Sequence, residues 1–283
     1  MPPTQLHLIR HAQGYHNLRE DYNLPDTLLT PEGEQQSIAL SHEIPDIFSI
    51  NCIYASPMRR TLYTALLTFR TVLHFNPNLR IIALPELQET SDFACDTGSP
   101  LAQLRKEFEG KPVDFSHVFE GWNDKKSGRF RPTTGLTEQR AGEARRVIRE
   151  EAEGFVAVVA HGGVNHYFTE DWEGSSSGSG TGWKNCEFRT YKFDDSSSSA
   201  VEWAAIVETE GSIRRRFPTG DYRELTPIEQ YKLRDTTEKS WAADGYISLG
   251  EADEFQNKAS NNHKGEWENG KLHEERPACL VAG

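Results

Sequence analysis

The chain has little that would carry it into a membrane or onto a polyanion. Across 283 residues no apolar run approaches the roughly 20 residues needed to span a bilayer. Basic residues are scarce beside acidic ones, 31 Lys and Arg against 43 Asp and Glu, for a formal net charge of -12. Non-specific binding to nucleic acid or to an anionic lipid surface needs many Lys and Arg contacts, so neither is expected. Local basic groups can still hold one small anion. Cysteine is sparse: Cys52, Cys95, Cys186 and Cys279 stand apart without CxxC spacing. Met1-Pro2-Pro3-Thr4-Gln5 has neither a basic leader nor an apolar stretch, so no secretory signal is read there. The four thiols are therefore expected to be free, in a reducing, cytoplasmic compartment. Hydrophobic residues make up only 36% of the chain and mean hydropathy is -0.66, which points to a long polar tail.

What is present alternates between two periods. Residues 6–9 form a short apolar run that stops at Arg10-His11, a first strand. Thr30-Pro31 opens a helix, with Thr as N-cap, Pro at the first helical position, and Glu32 and Glu34 at the positive end of the dipole. Residues 52–55 read as a second strand, Ser56-Pro57 as the start of a helix to about residue 69, and residues 80–84 as a third strand. Residues 138–151 form a helix rich in Ala, Arg and Glu, and residues 155–159 an apolar strand ending at Ala160-His161-Gly162-Gly163. Residues 188–193 and 201–207 suggest two edge strands, and residues 227–236 a short helix. Strands alternating with helices predict an α/β three-layer sandwich: a mainly parallel central sheet with helices on both faces. One domain is expected over residues 1–244, with an inserted lid-like segment at about 90–134. Residues 245–283 read as a polar, disordered tail.

In open α/β sheets ligands bind beyond the carboxyl ends of the strands. Here those ends deliver Arg10 and His11, then Arg59, then Glu89, then His161. Singly, each has an ordinary explanation as a surface or satisfied side chain. Together they suit phosphate. Arg presents a planar fork to two phosphate oxygens, and a neutral imidazole is a nucleophile. Phosphoryl transfer asks mainly for positioning and for cations around the phosphoryl oxygens. A carboxylic acid supplies the proton that an alkoxide leaving group needs. Asp92, Asp96 and Asp114 read as solvated loop carboxylates, and no His/Asp cluster has metal-ligand spacing. Phe115, Phe119, Trp122, Phe130 and Trp183 suit either an apolar substrate pocket or core packing.

These residues also form recognisable motifs. Leu8-Ile9-Arg10-His11-Ala12-Gln13-Gly14, with Asn17 six positions beyond the histidine, resembles the signature of the histidine phosphatase superfamily in its phosphoglycerate-mutase-like branch. Ser56-Pro57-Met58-Arg59-Arg60-Thr61 followed by Thr64-Ala65 resembles the second motif, and Val159-Ala160-His161-Gly162-Gly163 the second-histidine motif. Leu29-Thr30-Pro31-Glu32-Gly33-Glu34-Gln35 is similar to a helix start of the family, and the resemblance spans roughly residues 4–210. It implies that His11 becomes a phosphohistidine and that Arg10, Asn17, Arg59, His161 and the Gly162 backbone N–H hold the phosphoryl oxygens. Glu89 would be the proton donor, with Glu86 competing; Leu87-Gln88-Glu89 matches the family's Leu-x-Glu pattern. Ala12 stands where the family usually has Gly, a mild change. The resemblance implies no metal or cofactor, a small phosphorylated substrate as the partner, and nothing about oligomeric state. The expected activity is phosphomonoester hydrolysis. A phosphoglycerate-type mutase and a non-catalytic phosphate-binding subunit are the alternatives.

Overall fold

Short strands and helices follow one another along the chain: β1 (Gln5–Arg10), α1 (Tyr15–Arg19), α2 (Pro31–Glu43), β2 (Ile50–Ala55), α3 (Arg59–Thr68), α4 (Arg70–Phe75), β3 (Ile81–Ala83), α5 (Leu101–Glu107), β4 (Val113–Asp114), α6 (Thr134–Glu151), β5 (Phe155–Ala160), α7 (Gly162–Thr169), β6 (Phe188–Phe193), α8 (Ser198–Glu202), β7 (Ile206–Glu208), α9 (Glu210–Arg216) and α10 (Pro227–Ala243). The computed structural model describes residues 3–175 and 181–250.

The strands form a single sheet in the order β4-β3-β2-β5-β1-β6-β7. The pairs from β4 through to β1 are parallel, and β6 and β7 close one edge antiparallel. Side chains alternate across a strand, so each face builds its own core. Leu6, Leu8, Val156 and Val158 pack with Ala144 and Ile148 of α6, Phe168 of α7 and Trp241 of α10. Ile9, Ile53, Ala157 and Val159 pack on the other face with Leu40 of α2, Leu62 and Ala65 of α3, and Leu104 of α5. The expected three-layer arrangement is the one found. β5 lies between β1 and β2, so three adjacent parallel strands open their carboxyl ends into one crevice.

Local chemistry sets several element starts. Thr30 Oγ1 accepts the Gly33 N–H at 3.0 Å and caps α2. Thr226 and Glu229 form a capping box on α10, which runs seven residues beyond the expected end at 236. α3 begins later than Ser56-Pro57 suggested, and its cap comes from far away: Asp26 Oδ1 accepts the Arg59 N–H at 3.0 Å.

Three expectations need correction. Residues 201–207 are not one strand, because Ser197 caps a helical turn, α8, and only β7 pairs with β6. The domain does not end at 244. Ile247 is 4% exposed and joins the core, the Ser248 N–H donates to Pro132 at 2.6 Å, and the Gly135 N–H donates to Gly250 at 2.8 Å. One isoleucine and a few backbone bonds dock a segment whose overall composition is polar. Residues 251–283 of the expected tail lie outside the described residues. Finally, Cys95 and Cys186 are free thiols, but Cys52 is disulfide-bonded.

The segment at 90–134 packs as a wall beside the crevice. It contributes α5 and the edge strand β4, and it buries Trp122 and Phe130. Trp183, beneath the Arg189 guanidinium at 3.8 Å, is buried as well, so these three aromatics are packing residues. Phe119 is exposed, and Phe115 packs at the margin of the core.

Candidate active site

β1 ends at Arg10, and the next residue is carried by a loop fastened from several sides. The His11 N–H donates to the Ala160 carbonyl at 3.0 Å, and Asn185 Nδ2 and the Cys186 N–H donate to the His11 carbonyl at 2.9 and 3.4 Å. The Ala12 N–H donates to Thr64 Oγ1 at 3.1 Å, and the Thr30 N–H to the Gln13 carbonyl at 2.9 Å. Ala12 is buried and is not among the positive-φ residues, so its methyl group brings no backbone strain.

The His11 ring is 2% exposed, and its Nδ1 lies 2.7 Å from the Ala12 carbonyl oxygen. A carbonyl can only accept, so Nδ1 carries the proton. In a neutral ring Nε2 then has a free lone pair. Burial holds the His11 pKa well below the usual 6.5, and the charges of Arg60 and Arg10 press it further down. The ring is therefore neutral near pH 7. The His161 ring lies 5.1 Å away centroid to centroid, with Nε2 2.9 Å from Ser56 Oγ. Its Nδ1 is buried without a partner. Burial and Arg60 lower the His161 pKa too.

The cations around this pair differ in one respect from the sequence reading. Arg10 donates to the Trp183 carbonyl, and its Nε is buried without a partner. Arg59, by contrast, turns away: Nε donates to Glu107 at 3.0 Å and Nη1 to the Asp26 carbonyl at 3.4 Å. Arg60 takes the inward place. It is 1% exposed, is held by the Cys95 carbonyl and by Asp96 at 2.8 Å, and keeps Nε unpartnered. Its charge is the leading electrostatic influence on both His11 and His161. Asp96 is accordingly a buried ion-pair partner, not a solvated loop carboxylate.

Glu89 sits where the wall segment meets α7. Its carboxylate accepts from the Gly163, Val164 and Thr90 N–H groups at 3.0, 2.9 and 2.9 Å, placing it against the helix that begins just after His161. A Cβ on Gly163 would come 2.5 Å from Glu89 Oε1, so glycine is required for this approach. Glu86 faces elsewhere: it pairs with Arg129 at 2.7 Å, and burial raises its pKa. Asn17 Oδ1 accepts the Gly14 N–H at 3.0 Å and so caps α1 at the rim. Gly162 opens α7 next to Thr181 Oγ1, which is buried without a partner.

Two further groups were not visible in the sequence. The His16 ring lies 5.6 Å from His11 and is oriented by Thr27 Oγ1 at 2.7 Å. Gly14 leaves room for it, since a Cβ there would meet His16 Nδ1 at 2.8 Å. Lys125, from the wall segment, is 3% exposed and donates to the Glu89 carbonyl at 2.6 Å. The buried ring beside His11 could have been suspected from a His on the helix after Gly14, but nothing in the sequence marks Lys125. No group of three or more His, Cys, Asp or Glu among the described residues could hold a metal ion. No helix among them is long and apolar enough to cross a membrane.

The whole constellation lies within residues 6–206, which match the model of the histidine phosphatase superfamily (branch 1). A curated relative described as a "probable phosphatase" of Schizosaccharomyces pombe is 29% identical over 163 residues, 56% of this chain and 73% of the relative. Among solved structures, YhfR of Bacillus stearothermophilus is 19% identical, with TM-score 0.46 over 74% of this chain and 97% of its own. A phosphoglycerate mutase of Bacillus anthracis is 17% identical, with TM-score 0.47 over 74% and 92%.

Proposed function

The chain belongs to the histidine phosphatase superfamily, branch 1, and from that premise we propose that it hydrolyses a small phosphomonoester through a phosphohistidine on His11. The relative in Schizosaccharomyces pombe, described as a probable phosphatase, supports hydrolysis as the outcome. The observation that carries the reading is the tautomer of His11, whose Nδ1–H is spent on the Ala12 carbonyl while burial and the charges of Arg60 and Arg10 keep Nε2 unprotonated.

In the first step the Nε2 lone pair forms a bond to phosphorus as the ester P–O bond breaks, and Glu89 gives a proton to the departing oxygen. In the second step Glu89 takes a proton from water, the water oxygen bonds to phosphorus, and the N–P bond returns its electron pair to His11. Arg10, Arg60, His161 and the Gly162 N–H would hold the phosphoryl oxygens, with Asn17 shaping the rim. Their positive charge meets the charge spread over those oxygens, so the reading assigns no metal. Glu89 is positioned for both steps by α7, whose Gly163 and Val164 N–H groups donate to its carboxyl oxygens.

Rapid quench with ³²P-labelled substrate is expected to trap a phosphoprotein that is labile in acid and stable in base. EDTA should leave its formation unchanged, and His11→Ala should abolish it. Label persisting in His11→Ala would overturn the nucleophile, and a loss with EDTA restored by a divalent ion would overturn the metal-free mechanism.

A further inference from the structure

Lys125 is a buried ammonium with unused hydrogen-bonding capacity. It is 3% exposed, and its Nζ, which has three donors, meets the Glu89 carbonyl at 2.6 Å. Among the described residues it has no carboxylate in ion-pair range. The negative charges nearest in influence are those of Asp96 and Glu89, and both are engaged. Asp96 serves Arg60 and Ser91, and Glu89 serves the amides of α7. Around it, Arg140 and Arg60 add like charge. A buried charge left in this condition is costly unless something anionic arrives.

Its position says which part of a ligand would arrive. Arg10 and Arg60 flank His11, where the transferred phosphoryl group binds. Lys125 hangs instead on the main chain of Glu89, the residue that serves the leaving oxygen. An in-line displacement puts that oxygen, and the rest of the alcohol, on the side away from the nucleophile. Lys125 is not required to hold the Glu89 backbone, because Arg140 already donates to the Glu89 carbonyl at 3.0 Å and to the carbonyls of Gln88 and Glu86.

We propose that Lys125 binds a second anionic group on the leaving-group portion of the substrate, so that the site selects phosphomonoesters carrying a carboxylate or another phosphate a few atoms from the ester oxygen. The proposal rests on the phosphatase reading above. Burial lowers the Lys125 pKa to about 7, with Arg140 adding to the effect. An arriving oxyanion stabilises the protonated form and supplies the missing partner.

The test compares matched substrates on the full chain: 3-phosphoglycerate against glycerol 3-phosphate, and a sugar bisphosphate against its monophosphate. The first pair reports a carboxylate, the second a phosphate. Wild type is expected to favour the more highly charged member of at least one pair. Lys125→Met should raise KM for that member by about 10- to 100-fold, the range of one charged hydrogen bond, with kcat nearly unchanged. It should leave the other member within about twofold. Lys125→Arg should restore most of the preference, and Lys125→Gln serves as a second neutral variant should Lys125→Met not fold. An equal loss of kcat on both members would make Lys125 a positioning residue for Glu89 and overturn the proposal, as would absence of any preference in wild type. If wild type hydrolyses none of the four and forms no phosphohistidine, the phosphatase reading itself fails.

Discussion

Arg59 and Arg60 are neighbours in the chain with different work. A helix turns by about 100° per residue, so two adjacent side chains in its first turn cannot enter the same pocket. Which one does depends on where α3 starts, and that is set by Asp26, 33 residues earlier, accepting the Arg59 N–H. Arg60→Ala is expected to cut turnover by about 10²- to 10³-fold on every phosphomonoester, the usual cost of one transition-state donor. Arg59→Ala should leave turnover near wild type and cost about 1 kcal/mol or less of stability, because its partner Glu107 stays partly solvated. Steady-state rates and melting temperatures for the two variants check this, and the reverse ranking would restore Arg59 to the pocket. The carboxylates divide in the same way. Glu89→Gln should slow an alkyl phosphate by about 10²- to 10⁴-fold while sparing formation of the phosphoenzyme from p-nitrophenyl phosphate, whose leaving group needs no proton. Glu86→Gln should instead lower the melting temperature through the lost Arg129 pair. Pre-steady-state bursts with both substrates separate the steps, and loss of the alkyl reaction in Glu86→Gln alone would move the acid three residues back.

Among the elements, α2 matters through its first turn. Gly33 lies against the loop that follows His11, and a Cβ there would stand 2.1 Å from the Gln13 carbonyl oxygen. That neighbour is backbone and cannot swing aside. Gly33→Ala is expected to cost about 1–3 kcal/mol, as overpacking does, and to lower kcat by shifting the loop that carries His11. Gly211→Ala in α9 is the control, since nothing lies within 4 Å of its Cβ position. Calorimetry with rate measurements would show it, and wild-type behaviour of Gly33→Ala would mean that the loop does not depend on this contact. The start of α2 was legible because Thr-Pro with following glutamates is local chemistry. Of the wall from 90 to 134 only the helix at 101–108, found as α5, was legible, because the two-residue strand and three-residue turns around it carry no period.

Over the whole molecule, buried histidines couple stability to pH. Burial and Arg215 lower the His7 pKa to about 4, and burial and Arg60 lower that of His16 to about 3. His11, His161 and His166 are lowered as well, chiefly by burial. For each, the folded pKa lies below the unfolded value, so between them the unfolded chain binds more protons and stability rises with pH. His117, raised by Glu151, and the buried carboxyl groups of Asp26 and Glu86 act in the opposite sense. The five histidines outnumber these, each worth up to about 1.4 kcal/mol per pH unit below its unfolded pKa. Melting temperature is expected to climb from pH 5 to about 6.5. A flat or falling profile over that range would show that the carboxyl groups and His117 dominate.

The amino-acid sequence alone determined the layering and the position of the crevice. Apolar runs of strand length, helix caps and the residues that follow each strand end are properties of a few neighbouring residues, and they put His11, Glu89 and His161 forward as candidates. Tertiary structure decided the rest. Arg60 displaced Arg59 because a distant aspartate sets the helix start. Lys125 entered the site because a segment without regular period folds back against Glu89. Ile247 extended the domain because one side chain found space beside α6 and α10. In each case the deciding contact joins residues far apart in the chain, and only the packed fold brings them within reach.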